Sequence, residues 1–202
     1  MSDRGVSPGP VIDRPDMPAY FMGIAMAVRR RANCRGSRVG ALVAKEHRIV
    51  STGYNGTPAG MTNCLDGGCL RCAHPDRWAP GEAYDLCICV HAEQNALLAA
   101  ARFGIAVEGA TLYTTMQPCF GCAKEILQAS ISRIYYLHPW EPSEPAKREE
   151  YRKLMHAFRG EVFRLDIDDP EREWARPSVR VPSAAGDARR DATSDAGGHQ
   201  MQ

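Results

Sequence analysis

The chain has 202 residues, 44% of them apolar and 24% charged, with a formal net charge of +1. That length carries one domain with a sizeable core, and the near-neutral balance excludes a strong global field for nucleic acid or an anionic membrane surface. No apolar run approaches the roughly 18 residues of a membrane span, and the opening MSDRGVSPGPVIDRPDMP lacks the charged-then-apolar order of a signal peptide, so a cytoplasmic protein with no membrane or nucleic-acid partner is expected.

Residues 1–18, rich in Pro, Gly and Asp, read as a flexible lead-in. AYFMGIAMAVRRRA, from Ala19, reads as a helix with an apolar face and a basic end. RVGALVA and HRIVSTGYN are strand-like, and the short KEH turn between them predicts a β-hairpin. A long loop rich in Gly, Pro and Cys follows from Gly56 to Leu86; loops of that length in a compact domain usually have a function or a metal to fix them. HAEQNALLAAARFG is an amphipathic helix, GATLYTT a strand, PCFGCAKEILQAS a helix with Pro118 before its first turn, and RIYYLH another strand. SEPAKREEYRKLMHAF is again helical, and EVFRLDI is a last strand. Residues 176–202 read as a disordered tail. The order α-β-β-α-β-α-β-α-β predicts one domain, 19–170, built on a mostly parallel sheet that begins with an antiparallel hairpin.

Two short motifs carry chemistry. His91-Ala92-Glu93 and Pro118-Cys119-Phe120-Gly121-Cys122 each lie where the chain enters a helix. Neighbouring helix starts can direct side chains into one pocket, and their positive ends favour thiolate over thiol. One imidazole and two thiolates, from His91, Cys119 and Cys122, supply three ligands of a tetrahedral zinc and leave the fourth position to water, the arrangement of a catalytic site. Glu93 is placed to take that water's proton and pass it on. Either motif alone would read as a helix start or a redox or structural thiol pair. Together they are the known signature of zinc-dependent base deaminases.

VGALVAKEHRIVSTGYNGTPAGMTNC, HAEQNALLAAARFG, EGATLYTT and PCFGCAKEILQASISRIYY resemble deoxycytidylate (dCMP) deaminases of the cytidine deaminase-like superfamily, over about Ala19 to Asp166. The zinc motif is shared by many deaminases, whereas GYNGTPAG resembles the segment that lines the nucleotide pocket of the dCMP enzymes. The resemblance implies a three-layer α/β/α fold with a five-stranded mixed sheet, hydrolysis of dCMP to dUMP and ammonia, and a homohexamer. It implies that Glu93 protonates N3 of cytosine and later returns a proton to the departing amino group. It also implies that the Ala92 N–H approaches O2 of the pyrimidine and that Asn55 bonds the sugar 3′-hydroxyl. The residues alone make Asn55 a turn residue, since Tyr-Asn-Gly is turn chemistry. Arg38 and Arg102 are the basic residues nearest the matched motifs and are candidates for the phosphate, although either reads equally as a solvated charge. Trp140 is a candidate wall of the pocket. Activation by dCTP and inhibition by dTTP are common in similar enzymes and are expected on that ground, with GYNG and Arg102, on the helix that would face a neighbouring subunit, as the motivating residues.

Six further cysteines remain: Cys34, Cys64, Cys69, Cys72, Cys87 and Cys89. Such spacings in a reducing compartment point to metal rather than disulfides. The resemblance implies a second, structural zinc held from the positions of Cys34 and Cys64 and from just before His91, where Cys89 is the natural third ligand. The fourth would be Cys69, Cys72 or Cys87. Six thiolates exceed one tetrahedral site, which leaves two as bystanders or lets a second ion share bridging sulfurs. His74 is an outside candidate ligand that reads more simply as a loop histidine. The competing functions are a deaminase of another cytosine nucleoside, nucleotide or RNA, and a zinc-stabilised interaction module without turnover; the presence of Glu93 argues against the latter.

Overall fold

The computed structural model describes residues 14–78, 82–159 and 161–175. The expected disordered tail and most of the expected lead-in lie outside those residues. Helix α1 spans Met17–Arg29 and starts two residues before the sequence pattern suggests. The reason is local: Asp16 Oδ1 accepts the Ala19 N–H at 2.8 Å, and Pro18 occupies the first turn, where its missing N–H costs no helical bond.

Strands β1 (Gly40–Lys45) and β2 (Arg48–Tyr54) form the expected hairpin. Glu46 and His47 close it with φ of 50° and 62°, the pair of left-handed residues that a two-residue hairpin turn requires. After a four-residue helix α2 (Leu70–Ala73) come α3 (Ala92–Arg102), β3 (Thr111–Met116), α4 (Phe120–Gln128), β4 (Arg133–His138), α5 (Pro145–Ala157) and β5 (Val162–Arg164). The five strands make one sheet in the order β2-β1-β3-β4-β5. β3, β4 and β5 are parallel, but β1 is antiparallel to both its neighbours, so parallel pairing covers less of the sheet than the element order suggested. The crossover through α3 passes over β1 before the chain re-enters the sheet as β3. The result is the expected three-layer α/β/α fold with a five-stranded mixed sheet.

β1 is buried on both faces and shows how the layers are built. Ala41 and Val43 point into a core with Leu112, Ile134 and residues of α3, α4 and α5. Leu42 and Ala44 point the other way, against Phe21, Met22 and Ala25 of α1. Two glycines set how closely the helices approach. A Cβ on Gly53 would run into the Ala92 carbonyl and the Ala96 N–H of α3, and one on Gly40 into the Ala25 carbonyl and Arg29 backbone of α1. Any side chain at Gly53 would push away the first turn of α3, where the site lies.

At the basic end of α1, Arg30 and Arg31 are exposed but Arg29 is not. Arg29 is fully buried and donates to both carboxylate oxygens of Asp169, at 2.8 and 2.5 Å, and to Glu171 at 3.0 Å. His138 Nε2 lies 2.6 Å from the same Asp169. This charge cluster draws the segment after β5 back over α1.

Candidate metal centre and active site

The starts of α3 and α4 converge at one end of the strands, beyond the carboxyl ends of β2 and β3. β3 runs into α4 through Gln117 and Pro118. The start of α3 is tied to the end of β2: Gly56 and Val90 exchange backbone hydrogen bonds of 3.2 and 2.8 Å, and Asn95 Nδ2 donates to the Tyr54 carbonyl at 2.7 Å. Both helix starts thus lie beyond the carboxyl ends of strands, where open α/β sheets place their ligands.

His91 is the N-cap residue of α3, and its N–H donates to Gln94 Oε1 at 2.9 Å. Gln94 Nε2 donates in turn to Glu125 Oε1 of α4 at 2.9 Å, joining the two helices. Cys119 is the N-cap residue of α4, and Cys122 lies in its first turn. His91 Nδ1 is 3.4 Å from Cys119 Sγ and 3.3 Å from Cys122 Sγ. Zinc bonds of about 2.0–2.1 Å to nitrogen and about 2.3 Å to sulfur set such ligand atoms roughly 3.5 Å apart in a tetrahedron. The three side chains therefore fit a single zinc ion with one position open.

Glu93, only 4% exposed, faces this group. Its Oε1 accepts from Thr114 Oγ1 at 3.2 Å, and Cys122 Sγ lies 3.7 Å from its Oε2. Burial raises the Glu93 carboxyl above its ordinary range, with the charge of His91 opposing. Cys119 is pulled down to about 4 by the Cys122 thiol and by His91, and His91 is raised to about 9 by Cys119. The pocket thus favours a thiolate beside a positive charge, a role that a divalent cation fills.

The segment carrying Cys119 is braced from behind. Tyr151 Oη donates to the Pro118 carbonyl at 2.7 Å and accepts from Gln117 Nε2 at 3.2 Å, while Gln117 Oε1 accepts the Trp140 N–H at 3.3 Å. Trp140 packs edge-on against Tyr151 with ring centroids 5.3 Å apart, which places it behind the metal-binding turn. Ala92 is fully buried at the start of α3. Asn55 is buried beside the Gly56–Val90 tie, and its amide clasps a loop: Oδ1 accepts the Val39 N–H at 2.8 Å and Nδ2 donates to the Ser37 carbonyl at 2.8 Å. Asn55 is thus not the turn residue that Tyr-Asn-Gly suggested: its backbone and side chain bind across to residues 37–39 instead.

The two arginines are placed differently from that group. Arg38 is half-buried, its guanidinium 4.8 Å from the ring centroid of Trp174. Arg102 is exposed in the last turn of α3, about 16.5 Å along the helix from His91 at a rise of 1.5 Å per residue. Within one chain the structure does not bring Arg102 to the pocket. Among the supporting residues, Gln94 had a sequence signal, a glutamine three positions after a helix cap. Thr114, Gln117 and Tyr151 had none, because their partners are distant in the chain.

The other six cysteines come together at a second place. Cys34, Cys64, Cys69, Cys72 and Cys89 are buried as one cluster with Cys87 against it. Two overlapping sets have ligand-competent geometry, Cys34, Cys64, Cys72 and Cys89, and Cys69, Cys72, Cys87 and Cys89. Both contain Cys89, the expected third ligand. The Arg35 N–H points at Cys64 Sγ at 3.3 Å. His74 belongs to neither set; its N–H closes the end of α2 on the Leu70 carbonyl at 3.2 Å.

The family model described as "Cytidine and deoxycytidylate deaminase zinc-binding region" matches residues 16–138. Deoxycytidylate deaminase of Saccharomyces cerevisiae is 40% identical over 144 residues, which are 71% of this chain and 43% of that protein. Deoxycytidylate deaminase of Mycobacterium phage D29 is 42% identical over 128 residues, 62% of this chain and 97% of that one. The chain spans less than half the length of the yeast relatives, 43% and 37% for those of S. cerevisiae and Schizosaccharomyces pombe. Among solved structures, dCMP deaminase of cyanophage S-TIM5 in complex with dCMP and dUMP superposes with a TM-score of 0.57 at 28% identity, over 75% of this chain and 98% of that one. Among the described residues no helix is long and apolar enough to cross a membrane.

Proposed function

The chain belongs to the cytidine and deoxycytidylate deaminase family, and on that premise we propose that it hydrolyses dCMP to dUMP and ammonia. The observation that carries this reading is the convergence of His91, Cys119 and Cys122 around one point with the buried Glu93 facing it. The names of the yeast and phage relatives and the nucleotides in the cyanophage complex support dCMP as substrate.

A zinc ion held by His91, Cys119 and Cys122 would lower the pKa of water in its open position to about 7. Glu93 would take one proton from that water and deliver it to N3 of the cytosine, then take the second from the hydroxyl now on C4 and deliver it to the amino group as ammonia leaves. A carboxyl whose neutral form is favoured by burial can hold a proton between those transfers. Thr114 keeps one Glu93 oxygen fixed while the other moves the proton. The buried Ala92 presents its N–H to the pyrimidine without a bulky side chain. Asn55 has one N–H and one lone pair beyond its clasp, and we assign that N–H to the sugar hydroxyl. Arg38 adjoins the same clasped loop and is the proposed phosphate contact. Trp140, packed behind the metal-binding turn, is assigned the support of that turn and not a wall of the pocket.

The six-cysteine cluster is proposed to hold structural zinc that fixes the loop ahead of His91. A homo-oligomer, hexameric by resemblance, is supported by the exposed Leu98 and Phe103 at the outer edge of α3, 61% and 73% accessible. A purely monomeric sedimentation profile would remove that part. A cytoplasmic setting agrees with eight free thiols. Regulation by dCTP and dTTP predicts a dCMP rate curve shifted by either triphosphate; an unchanged hyperbola would remove it.

The test is ammonia release from dCMP, CMP, deoxycytidine and cytosine assayed side by side. The expected result is the highest kcat/KM for dCMP. Equal rates on deoxycytidine would remove the phosphate contact, and no release from any of the four would overturn the reading.

A further inference from the structure

The two four-sulfur sets have Cys72 and Cys89 in common. Within each set all ligand sulfurs lie within 4.8 Å of one another. Tetrahedral zinc with Zn–S bonds of about 2.3 Å places its sulfurs roughly 3.8 Å apart. Cys34 Sγ and Cys72 Sγ are 3.8 Å apart in the first set. In the second, Cys69 Sγ and Cys87 Sγ are 3.8 Å apart, and Cys72 Sγ and Cys87 Sγ 3.7 Å. Cys72 is thus at tetrahedral-edge spacing from a terminal sulfur of each set. Two tetrahedra that share the Cys72–Cys89 edge account for all six positions.

We propose that this cluster is a binuclear zinc site, with Cys72 and Cys89 as bridging thiolates, Cys34 and Cys64 terminal on one ion, and Cys69 and Cys87 terminal on the other. It rests on reading the cluster as a metal site and is independent of the deaminase activity. A single ion in either set would leave two thiols outside coordination yet in sulfur contact with it. Cys64 and Cys69 are fully buried, and weak S–H donors are poor partners for such positions. Charge agrees. Six thiolates with two divalent ions sum to −2, the same as four thiolates with one, now spread over more sulfur atoms. Soft thiolate donors favour zinc over the hard divalent ions, and the same two-ion, six-cysteine stoichiometry occurs in unrelated DNA-binding modules. The backbone N–H of Arg35 on Cys64 is the expected donor to a charged terminal sulfur.

The site joins chain segments that are otherwise linked by hydrogen bonds of Asn33 and Arg35 to the turn at 63–65 and of Arg71 to the Glu82 carbonyl. Cys34 follows α1, Cys64 sits in a short helical turn, Cys69 and Cys72 flank and occupy α2, and Cys87 and Cys89 end the loop two residues before His91. Two bridged ions would lock these segments as one unit.

Metal content and cadmium NMR of the full chain test this. Zinc per chain is expected to be three in the purified protein and two after His91→Ala, which removes only the single ion of the other centre. The double substitution Cys69→Ser with Cys87→Ser is expected to lose one zinc and keep Cys34, Cys64, Cys72 and Cys89 loaded. If that variant fails to fold, the unaltered chain loaded with cadmium-113 decides: bridging predicts two cluster resonances split by each other. Two zinc ions per chain, a single unsplit cluster resonance, or two alkylatable thiols in the native protein would overturn it. A chain with three zinc ions and no dCMP turnover would count against the deaminase reading alone. An active chain with two would count against the binuclear site alone.

Discussion

Cys89 and His91 are separated by one residue, yet they belong to sites assembled by opposite means. The His91–Cys119–Cys122 centre is placed by the framework. Its ligands begin two regular helices, α4 close behind β3 and α3 tied to the end of β2 through Gly56 and Val90, and hydrogen bonds from Gln94, Gln117 and Tyr151 fix the turns around them. The six-cysteine cluster has little framework of its own. Its loop carries α2 of four residues and short helical turns, and its buried apolar content is the cysteines themselves. In the first region the fold positions the metal ligands; in the second, on the binding proposed above, metal would position the fold. Removing metal should therefore silence one region and unfold the other.

The largest expected effect follows directly. Cys64→Ser removes a fully buried thiol of the loop cluster. Structural zinc sites contribute apparent binding free energies on the order of 10 kcal/mol, so thermal melting should show loss of cooperative folding or a large fall in Tm. A strong chelator should give the same outcome in the unaltered chain. Melting that is unmoved by either would erase the contrast between the regions.

Asp169→Asn should come next. It leaves the fully buried Arg29 without its main charged partner, and breaking a buried pair costs about 3–5 kcal/mol. Denaturant unfolding should report that loss while zinc content stays unchanged, separating a region held by charge from one held by metal. Burial opposes ionisation of Asp169, but the Arg29 guanidinium and His138 outweigh it and hold the carboxyl well below its usual range. A depressed carboxylate contributes stability that is present above its unfolded pKa of about 3.9 and lost as pH falls toward the folded value. The unaltered chain should lose that contribution in strong acid, and Asp169→Asn should lack that part of the pH dependence.

Thr114→Val should give a smaller effect confined to the framework-held centre. It removes the hydroxyl that bonds Glu93 Oε1, while the Cys122 Sγ contact to Oε2 and the ligands stay in place. A hydrogen bond to a charged group contributes about 1.5–3 kcal/mol, so kcat should fall roughly 10- to 100-fold with KM and zinc content little changed. A matching loss of zinc would show that Thr114 supports the ligands rather than the proton carrier.

The same contrast explains what was legible in the sequence. The helices and strands were readable because α3 shows its burial as helical periodicity and β1 is a short continuous apolar run bounded by turn residues. The centre was readable because its ligands fall in two short motifs, each at a helix start. Arg29 was not: at the end of α1 it looks like a solvated charge, and Asp169 lies 140 residues away. Thr114 and Tyr151 reach the site only through sheet and helix packing, which no short window encodes. The antiparallel pairing of β1 with β3 depends on where the α3 crossover re-enters the sheet, and element order alone left that open. The grouping of the six cysteines into two overlapping sets likewise needed coordinates, since sequence spacing says nothing about which sulfurs are shared.

The most direct measurement is ammonia release from dCMP by Glu93→Gln alongside its zinc content. The amide keeps the shape of the side chain but cannot carry the proton, and general acid–base groups typically contribute 10²–10⁴-fold, so kcat should fall by about that factor. Zinc content should be unchanged, and Tm unchanged or higher, because a buried carboxyl is removed. Turnover within a few-fold of the unaltered chain, with zinc in place, would contradict the role assigned to Glu93 and the catalytic centre built around it.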